Sequence, residues 1–287
     1  MLVTTILSIQ SSVAYGHVGN SAATFPLMRL GVEVWPVLTV HFSNHTGYGA
    51  WRGPLLAASD VGEVITGIDE RGVLGDVDAV LSGYQGAEAV GAEILKAVAL
   101  VKQRNPLAVY CCDPVMGDVG RGFYVRPGIP EFMRDQVIPA AQIVTPNQFE
   151  LDCLTGRETR TVAEVLEAAH ALRITGPEVV LVTSVVAEGV DPETLTMLVV
   201  TGEGAWQVVT PRLERMFTGS GDITAALFLA HYLTTGGDAA AALGNTAAAV
   251  YSVLKHTTEA GSSELALVAA QQEIVTPSHR FEVTALA

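Results

Sequence analysis

Short apolar runs alternate with longer segments whose apolar positions recur at helical spacing along most of the chain. Val3 to Ile9, Val34 to Val40, Ala79 to Leu81, Ala108 to Cys112, Ile143 to Thr145, Val179 to Val186 and Thr196 to Val200 are short and mostly apolar, and they predict strands. Between them, Gly19 to Leu30, Ala87 to Gln103, Val162 to Leu172 and Ala240 to Lys255 have the length and period of crossover helices. Unbroken apolar strands are buried on both faces, so the alternation predicts a doubly wound α/β fold around a mostly parallel sheet. The rhythm holds to about residue 185. Beyond it, Thr196 to Pro211 reads as antiparallel strands turning at Gly202-Glu203-Gly204, and a helical segment is expected to close the chain. No Ser/Pro-rich linker or shift of composition divides the sequence, so residues 1–287 are expected to form a single domain.

Composition narrows the class of function. The 287 residues are 49% hydrophobic with 28 glycines, enough for a large buried core. The net charge of −14 comes with only 16 Lys and Arg, scattered along the chain, which argues against nucleic acid or an anionic membrane surface as partner. A small-molecule enzyme fits better. No apolar run has the length of a membrane span, and Met1 to Gln10 carries no basic residue ahead of its short apolar stretch, so it does not read as a signal peptide. A cytoplasmic location is expected. Cys111, Cys112 and Cys153 form neither an even disulfide framework nor a metal-type spacing and read as reduced thiols.

Two common nucleotide signatures are missing. The three lysines, Lys96, Lys102 and Lys255, all lie in helical segments, and no P-loop is present. The first strand runs into SIQSSVAYGHVG (Ser8 to Gly19), which is not a dinucleotide fingerprint. The leading phosphate-binding candidate is therefore Phe217-Thr218-Gly219-Ser220-Gly221-Asp222-Ile223-Thr224, where a glycine turn opens an apolar helix, Ala225 to Leu233. Backbone N–H groups at such a turn converge on one point and favour an anion. Asp222 beside them is placed to take a proton from an alcohol. The same residues read equally well as a plain helix start capped by Ser220 or Asp222.

Two more clusters sit where strands end, Cys112-Asp113-Pro114-Val115-Met116-Gly117-Asp118 and Thr145-Pro146-Asn147-Gln148-Phe149-Glu150. In an open α/β sheet the carboxyl ends of the strands face the ligand crevice, which would let Asp113, Asp118, Asn147 and Glu150 converge as hard oxygen ligands for Mg²⁺. Singly, each also reads as turn chemistry, with Glu150 in the first turn of a helix.

Taken in order, GHVGNSAA (Gly16 to Ala23), WPVLTVHFSNHTGYG (Trp35 to Gly49), LSGY (Leu81 to Tyr84), DPVMGD (Asp113 to Asp118), TPNQFE (Thr145 to Glu150) and GSGD (Gly219 to Asp222) resemble the pyridoxal kinases of the ribokinase-like superfamily, the bacterial PdxY type above all. The resemblance runs from Ile6 to about Lys255. It implies a three-layer αβα sandwich with a central mostly parallel sheet, a homodimer, and transfer of the ATP γ-phosphoryl to the 5′-hydroxymethyl of pyridoxal. By residue, it implies Asp222 as general base, with the backbone of Gly219, Ser220 and Gly221 as anion hole. Ser11, Thr46 and Tyr84 would hold the pyridine ring, and Val18, Phe42 and Gly47 would line its pocket. The ATP site would comprise Asp113, Thr145, Asn147, Glu150, Thr183, Ser184, Phe217, Gly219, Gly221 and Tyr124, the last on a glycine-containing lid, Asp118 to Tyr124. Asp113, Asp118 and Glu150 match the Mg²⁺ region, and Asp113, Thr145 and Thr183 the site of K⁺ or another monovalent cation.

Two positions depart from the pattern: related members carry glutamine in place of Gly47 and often lysine in place of Thr183. The competing readings are a hydroxymethylpyrimidine kinase, whose relatives generally carry cysteine at the position of Asp222, a sugar kinase, and a vitamer-binding protein without turnover.

Overall fold

The computed structural model describes residues 3–286; Met1 and Leu2 of the N-terminal stretch and Ala287 lie outside them. Its elements are β1 (Thr5–Val13), α1 (Asn20–Arg29), β2 (Glu33–Phe42), α2 (Ala58–Glu70), β3 (Ala79–Ser82), α3 (Glu88–Arg104) and β4 (Val109–Cys112). A small hairpin of β5 (Gly117–Asp118) and β6 (Gly122–Phe123) follows, then α4 (Ile129–Phe132), β7 (Ile143–Val144), α5 (Gln148–Thr155), α6 (Val162–Arg173) and β8 (Val179–Val185). The chain continues through β9 (Thr194–Val200), β10 (Ala205–Pro211), α7 (Ser220–Thr234), α8 (Ala239–Glu259), α9 (Gln271–Val275) and β11 (Val283–Leu286).

Nine strands form one sheet in the order β11-β10-β9-β8-β7-β4-β3-β1-β2. From β2 to β8 the neighbours are parallel, whereas β9, β10 and β11 join antiparallel. The predicted doubly wound architecture is therefore present, with an antiparallel extension at one edge. Alternate strand residues face opposite layers. Cys112, Val144, Val180 and Val182 pack with residues of α2, α3, α5 and α6, while Cys111, Ile143, Val179 and Leu181 pack with α1, α7 and α8. Burial on both faces explains why these strands read as continuous apolar runs. It also places Cys111 and Cys112 in opposite layers as buried free thiols; Cys153 is free and half-buried.

The last expectation is corrected. The chain does not close on a helix: α9 spans only five residues, and β11 then pairs antiparallel with β10. Phe281 and Val283 pack against the α7–α8 layer, and β11 covers the β10 edge, which would otherwise present unpaired backbone groups. Among the described residues no helix is long and apolar enough to cross a membrane.

β1 extends past its apolar run because Gln10, Ser11, Ser12 and Val13 keep company with β2 through a register irregularity between Gln10 and Ser12. One side chain fixes that irregular end. Asn20, 4% exposed at the start of α1, donates its carboxamide N–H groups to the carbonyls of Ser8, Gln10 and Val37 at 3.3, 3.2 and 3.0 Å. Removing it leaves buried carbonyls of two strands without this donor. Asn20→Ala is expected to lower unfolding free energy by about 2–4 kcal/mol. Chemical denaturation reads this directly, and a loss below about 0.5 kcal/mol would show the side chain to be dispensable.

Candidate active site

Parallel strands bring their carboxyl ends to one edge, and that edge gathers the predicted residues. Ser11 is buried near the end of β1, Tyr84 follows β3, Asp113 follows β4, Thr145 follows β7, and Thr183 lies toward the end of β8. Backbone bonds splice these ends together: Asp113 N–H to the Ser82 carbonyl at 2.8 Å, Thr145 N–H to Cys112 at 3.1 Å, and Thr183 N–H to Pro146 at 3.0 Å. Ser184 is half-buried beside Thr183.

The glycine turn supplies the other wall. Gly219 is the N-cap of α7, with φ +88°, and no side chain caps the helix. Ser220 instead turns back, with its Oγ donating to the Phe217 carbonyl at 2.8 Å and its N–H reaching the same oxygen at 3.2 Å. The simple cap reading therefore fails at both Ser220 and Asp222. Ser220 contributes its place in the turn, with its own N–H already engaged. A Cβ at Gly219 would collide with the His17 carbonyl, whereas one at Gly221 would meet nothing within 4 Å, leaving approach to its N–H open. Phe217 is half-buried beneath the Arg215 guanidinium, 5.3 Å from the ring centre.

Asp222, in the first turn of α7, faces the β1–α1 loop. Burial pushes its carboxyl up to about 6, opposed by backbone N–H bonds from Gly19 and from Asp222 itself. Gly19 can make that approach because it takes φ +51° and packs against Ser11 so closely that a Cβ would strike the Ser11 carbonyl.

Four carboxyl groups lie near enough to Tyr124 to act on its phenol. Burial raises the Tyr124 phenol most, and Glu150, Asp113, Asp222 and Asp118 each add to the rise. Asp113, 5% exposed, accepts from Thr145 Oγ1 at 3.0 Å; burial and the nearby Glu150 and Asp222 hold its carboxyl well above the usual carboxylate range. Burial likewise pushes Glu150 up to about 8, although three backbone N–H groups oppose it. Those donors are Met116 at 2.9 Å and Gly117 at 3.4 Å on Oε1, and Asn147 at 2.9 Å on Oε2.

Glu150 and Asn147 thus form the capping box of α5, and Asn147 Nδ2 also donates to the Gly117 carbonyl at 2.8 Å. The helix-start reading of Glu150 holds, and the side chain also ties one acidic loop to the other. Asp118 Oδ1 accepts from Val119 N–H at 2.8 Å. The segment expected to act as a lid is built on the β5–β6 hairpin, where Phe123 packs against Phe149 with ring centres 5.0 Å apart. Among the described residues, no three His, Cys, Asp or Glu side chains form a preassembled metal cluster. Buried carboxyls raised by one another still favour a cation, and Mg²⁺ takes water and phosphate oxygens alongside one or two carboxylates.

The residues predicted to hold the pyridine ring lie on β1, β2, β3 and the loops that follow them. Val18, Phe42 and Tyr84 are half-buried, while Thr46 and Gly47 are exposed on a single helical turn, Thr46–Tyr48. Thr39 Oγ1 donates to the Tyr84 carbonyl at 2.7 Å, and Trp51 packs on Phe42 with centroids 6.1 Å apart. Trp51 and Glu264 were not singled out from the sequence. Trp51 lies just past the motif that carries the resemblance, and Glu264 sits in a stretch with no motif at all.

The chain matches the phosphomethylpyrimidine kinase family over residues 84–267. It is 59% identical to pyridoxal kinase PdxY of Rubrobacter xylanophilus, covering 98% of this chain and 97% of that protein. The chain belongs to the pyridoxal kinase family. A second member, pyridoxal kinase PdxY of Leifsonia xyli, is 57% identical, covering 97% of this chain and 98% of the relative. The pyridoxal kinase of Leishmania donovani, solved with ADP and pyridoxamine, superposes with a TM-score of 0.92 at 30% identity, covering 99% of this chain and all of that one. The ribokinase-like three-layer fold implied by the sequence motifs is therefore that of the pyridoxal kinase family.

Proposed function

We propose that the chain transfers the γ-phosphoryl group of ATP to the 5′-hydroxymethyl of pyridoxal, giving pyridoxal 5′-phosphate. The observation that carries this reading is Asp222, set in the first turn of α7 beside the β1–α1 loop and near enough to Asp113 to raise its carboxyl. An alcohol is a poor nucleophile at neutral pH, so its proton must leave as attack proceeds. Asp222, ionised above about pH 6, is placed to accept it. Attack by the alcohol oxygen forms its bond to the γ-phosphorus while the bond to the β-γ bridging oxygen breaks and ADP leaves. Charge growing on the transferred group meets the Gly219 and Gly221 N–H groups and the α7 dipole.

On the nucleotide side, Asp113, Glu150, Asp118, Thr145 and Thr183 would hold Mg²⁺ and K⁺, with Asn147, Ser184 and Phe217 beside the nucleotide. Divalent metal would neutralise phosphate charge that these carboxyls otherwise repel. The segment carrying Tyr124 would fold over the site, exclude water and limit ATP hydrolysis. Ser11, Thr46 and Tyr84 would bond the ring, with Val18, Phe42 and Gly47 as its walls.

We place the reaction in the cytoplasm, on a homodimer of single-domain subunits. Support for the single domain is that strands from Thr5 to Leu286 share one sheet.

The test is ATP consumption measured in parallel with pyridoxal, pyridoxine, pyridoxamine and hydroxymethylpyrimidine. Pyridoxal or another B6 vitamer should support turnover at least tenfold above the pyrimidine. The family match over residues 84–267 favours the pyrimidine as the second reading, and preference for it would overturn the first. The same assay is expected to stop on chelation of Mg²⁺ and to slow when K⁺ is replaced by a larger organic cation. Equal rates in chelator would refute the metal roles.

A further inference from the structure

Glu264 lies in the turns between α8 and α9, 8% exposed, and its carboxylate reaches the opposite end of the sequence. Its Oε2 accepts from the His17 backbone N–H at 3.1 Å, across 247 residues. Its Oε1 accepts from the Tyr48 hydroxyl at 2.5 Å and stands 3.3 Å from His45 Nε2. Gly16, at φ +93°, packs so tightly on the carboxylate that a Cβ there would collide with it. The His45 and Tyr48 rings stack with centroids 4.4 Å apart.

The stems of the two loops are joined by backbone bonds, Ala14 N–H to Phe42 and Tyr15 N–H to Ser43, both at 2.9 Å. Their tips, Gly16 to Val18 and His45 to Tyr48, are bridged by the Glu264 carboxylate. The tips carry Val18 and Gly47, proposed above as walls of the ring pocket, and Thr46, proposed above to bond the ring, whereas the carboxyls proposed for the nucleotide side follow β4 and β7. Burying a carboxylate costs free energy unless it is hydrogen-bonded, so a brace of this type is tolerated where its contacts are needed. The bond to Glu264 pushes the Tyr48 phenol up to about 12.

We propose that Glu264 is a positioning residue for the ring substrate, clamping the Gly16–Val18 loop to the Thr46–Tyr48 turn and so preorganising one half of the active site. The proposal rests on the pyridoxal reading for the identity of the ligand. Preorganisation lowers the entropy lost on binding, so the clamp acts on the affinity for the ring substrate and leaves the nucleotide half unchanged.

The experiment varies pyridoxal and ATP independently in Glu264→Ala, Glu264→Gln, Tyr48→Phe and the Glu264→Ala/Tyr48→Phe double variant. Glu264→Ala is expected to raise the pyridoxal KM by about tenfold or more, with the ATP KM within about twofold of wild type. Glu264→Gln, which keeps an acceptor, should recover part of that loss. Tyr48→Phe removes one hydroxyl from a ring that is 47% exposed and should raise the pyridoxal KM about threefold. Its effect should vanish in the Glu264→Ala background. An unchanged pyridoxal KM, a parallel rise in both KM values, or additive effects in the double variant would overturn the proposal. Should Glu264→Ala not fold, Tyr48→Phe decides alone, since an unchanged pyridoxal KM there is enough to refute it. A wild type that uses hydroxymethylpyrimidine in place of pyridoxal would overturn the substrate reading, and the same KM split measured on the pyrimidine then tests Glu264.

Discussion

Asp222→Asn is expected to lower kcat by about 10² to 10⁴-fold while leaving pyridoxal affinity within a few fold of wild type. Asparagine keeps the shape and an acceptor for the Gly19 N–H but cannot take up the alcohol proton. Turnover within tenfold of wild type would remove Asp222 from the role of base. The pH dependence follows from the same carboxyl. Its pKa is raised from 3.8 to about 6 in the folded protein, so the active, ionised form is depleted as pH falls through about 6. The rate should fall there and level off above.

Stability runs the opposite way. A carboxyl raised in the native state binds more protons folded than unfolded between these two values, so its contribution declines as pH rises from about 4 to about 6 and stays low above. The neutral asparagine lacks that burden, and at pH 7 to 8 the variant should be more stable by about 1–3 kcal/mol. A variant that is inactive yet melts higher is the signature sought; a lower melting temperature would show that Asp222 contributes mainly to the fold.

Gly219→Ala is expected to damage both fold and activity. The position has φ +88°, where an L side chain costs about 1–2 kcal/mol before any clash. The added Cβ would also strike the His17 carbonyl, displacing the loop whose Gly19 N–H holds Asp222. A total loss of about 2–4 kcal/mol in stability and at least about 10²-fold in kcat is anticipated. Gly221→Ala provides the contrast. Its Cβ would enter open space and its φ lies outside the left-handed region, so thermal stability should equal or exceed that of the parent. Equal melting temperatures for the two alanine variants would contradict the close approach of α7 to the β1–α1 loop.

Much of the architecture was legible because the parallel strands are buried on both faces. Val179 to Val185 announces itself as an apolar run, and α7, whose residues Ile223 to Ala230 are all buried, reads as an apolar helix. β11 escaped notice since it is a four-residue edge strand with no buried side chain. α2 was missed for a related reason: two glycines interrupt it and only Val61 and Ile65 are buried. At the site, Asp222 and the acidic loops could be found from residue order and family resemblance. Local sequence does not disclose that Ser220 turns back on Phe217, or that Glu150 spends both oxygens on backbone N–H groups. Glu264 left no trace, because its meaning lies in hydrogen bonds spanning 216 to 247 residues.

That separation governs the order in which the enzyme is assembled during synthesis. The ring-pocket loops leave the ribosome among the first 50 residues, and their brace at position 264 and the covering strand β11 emerge more than 200 residues later. At about 5–20 residues per second, the early loops wait at least ten seconds for the contacts that lock them. The nascent chain can build most of its sheet in that interval, and under the proposed clamp the ring pocket reaches full affinity only near the end of translation.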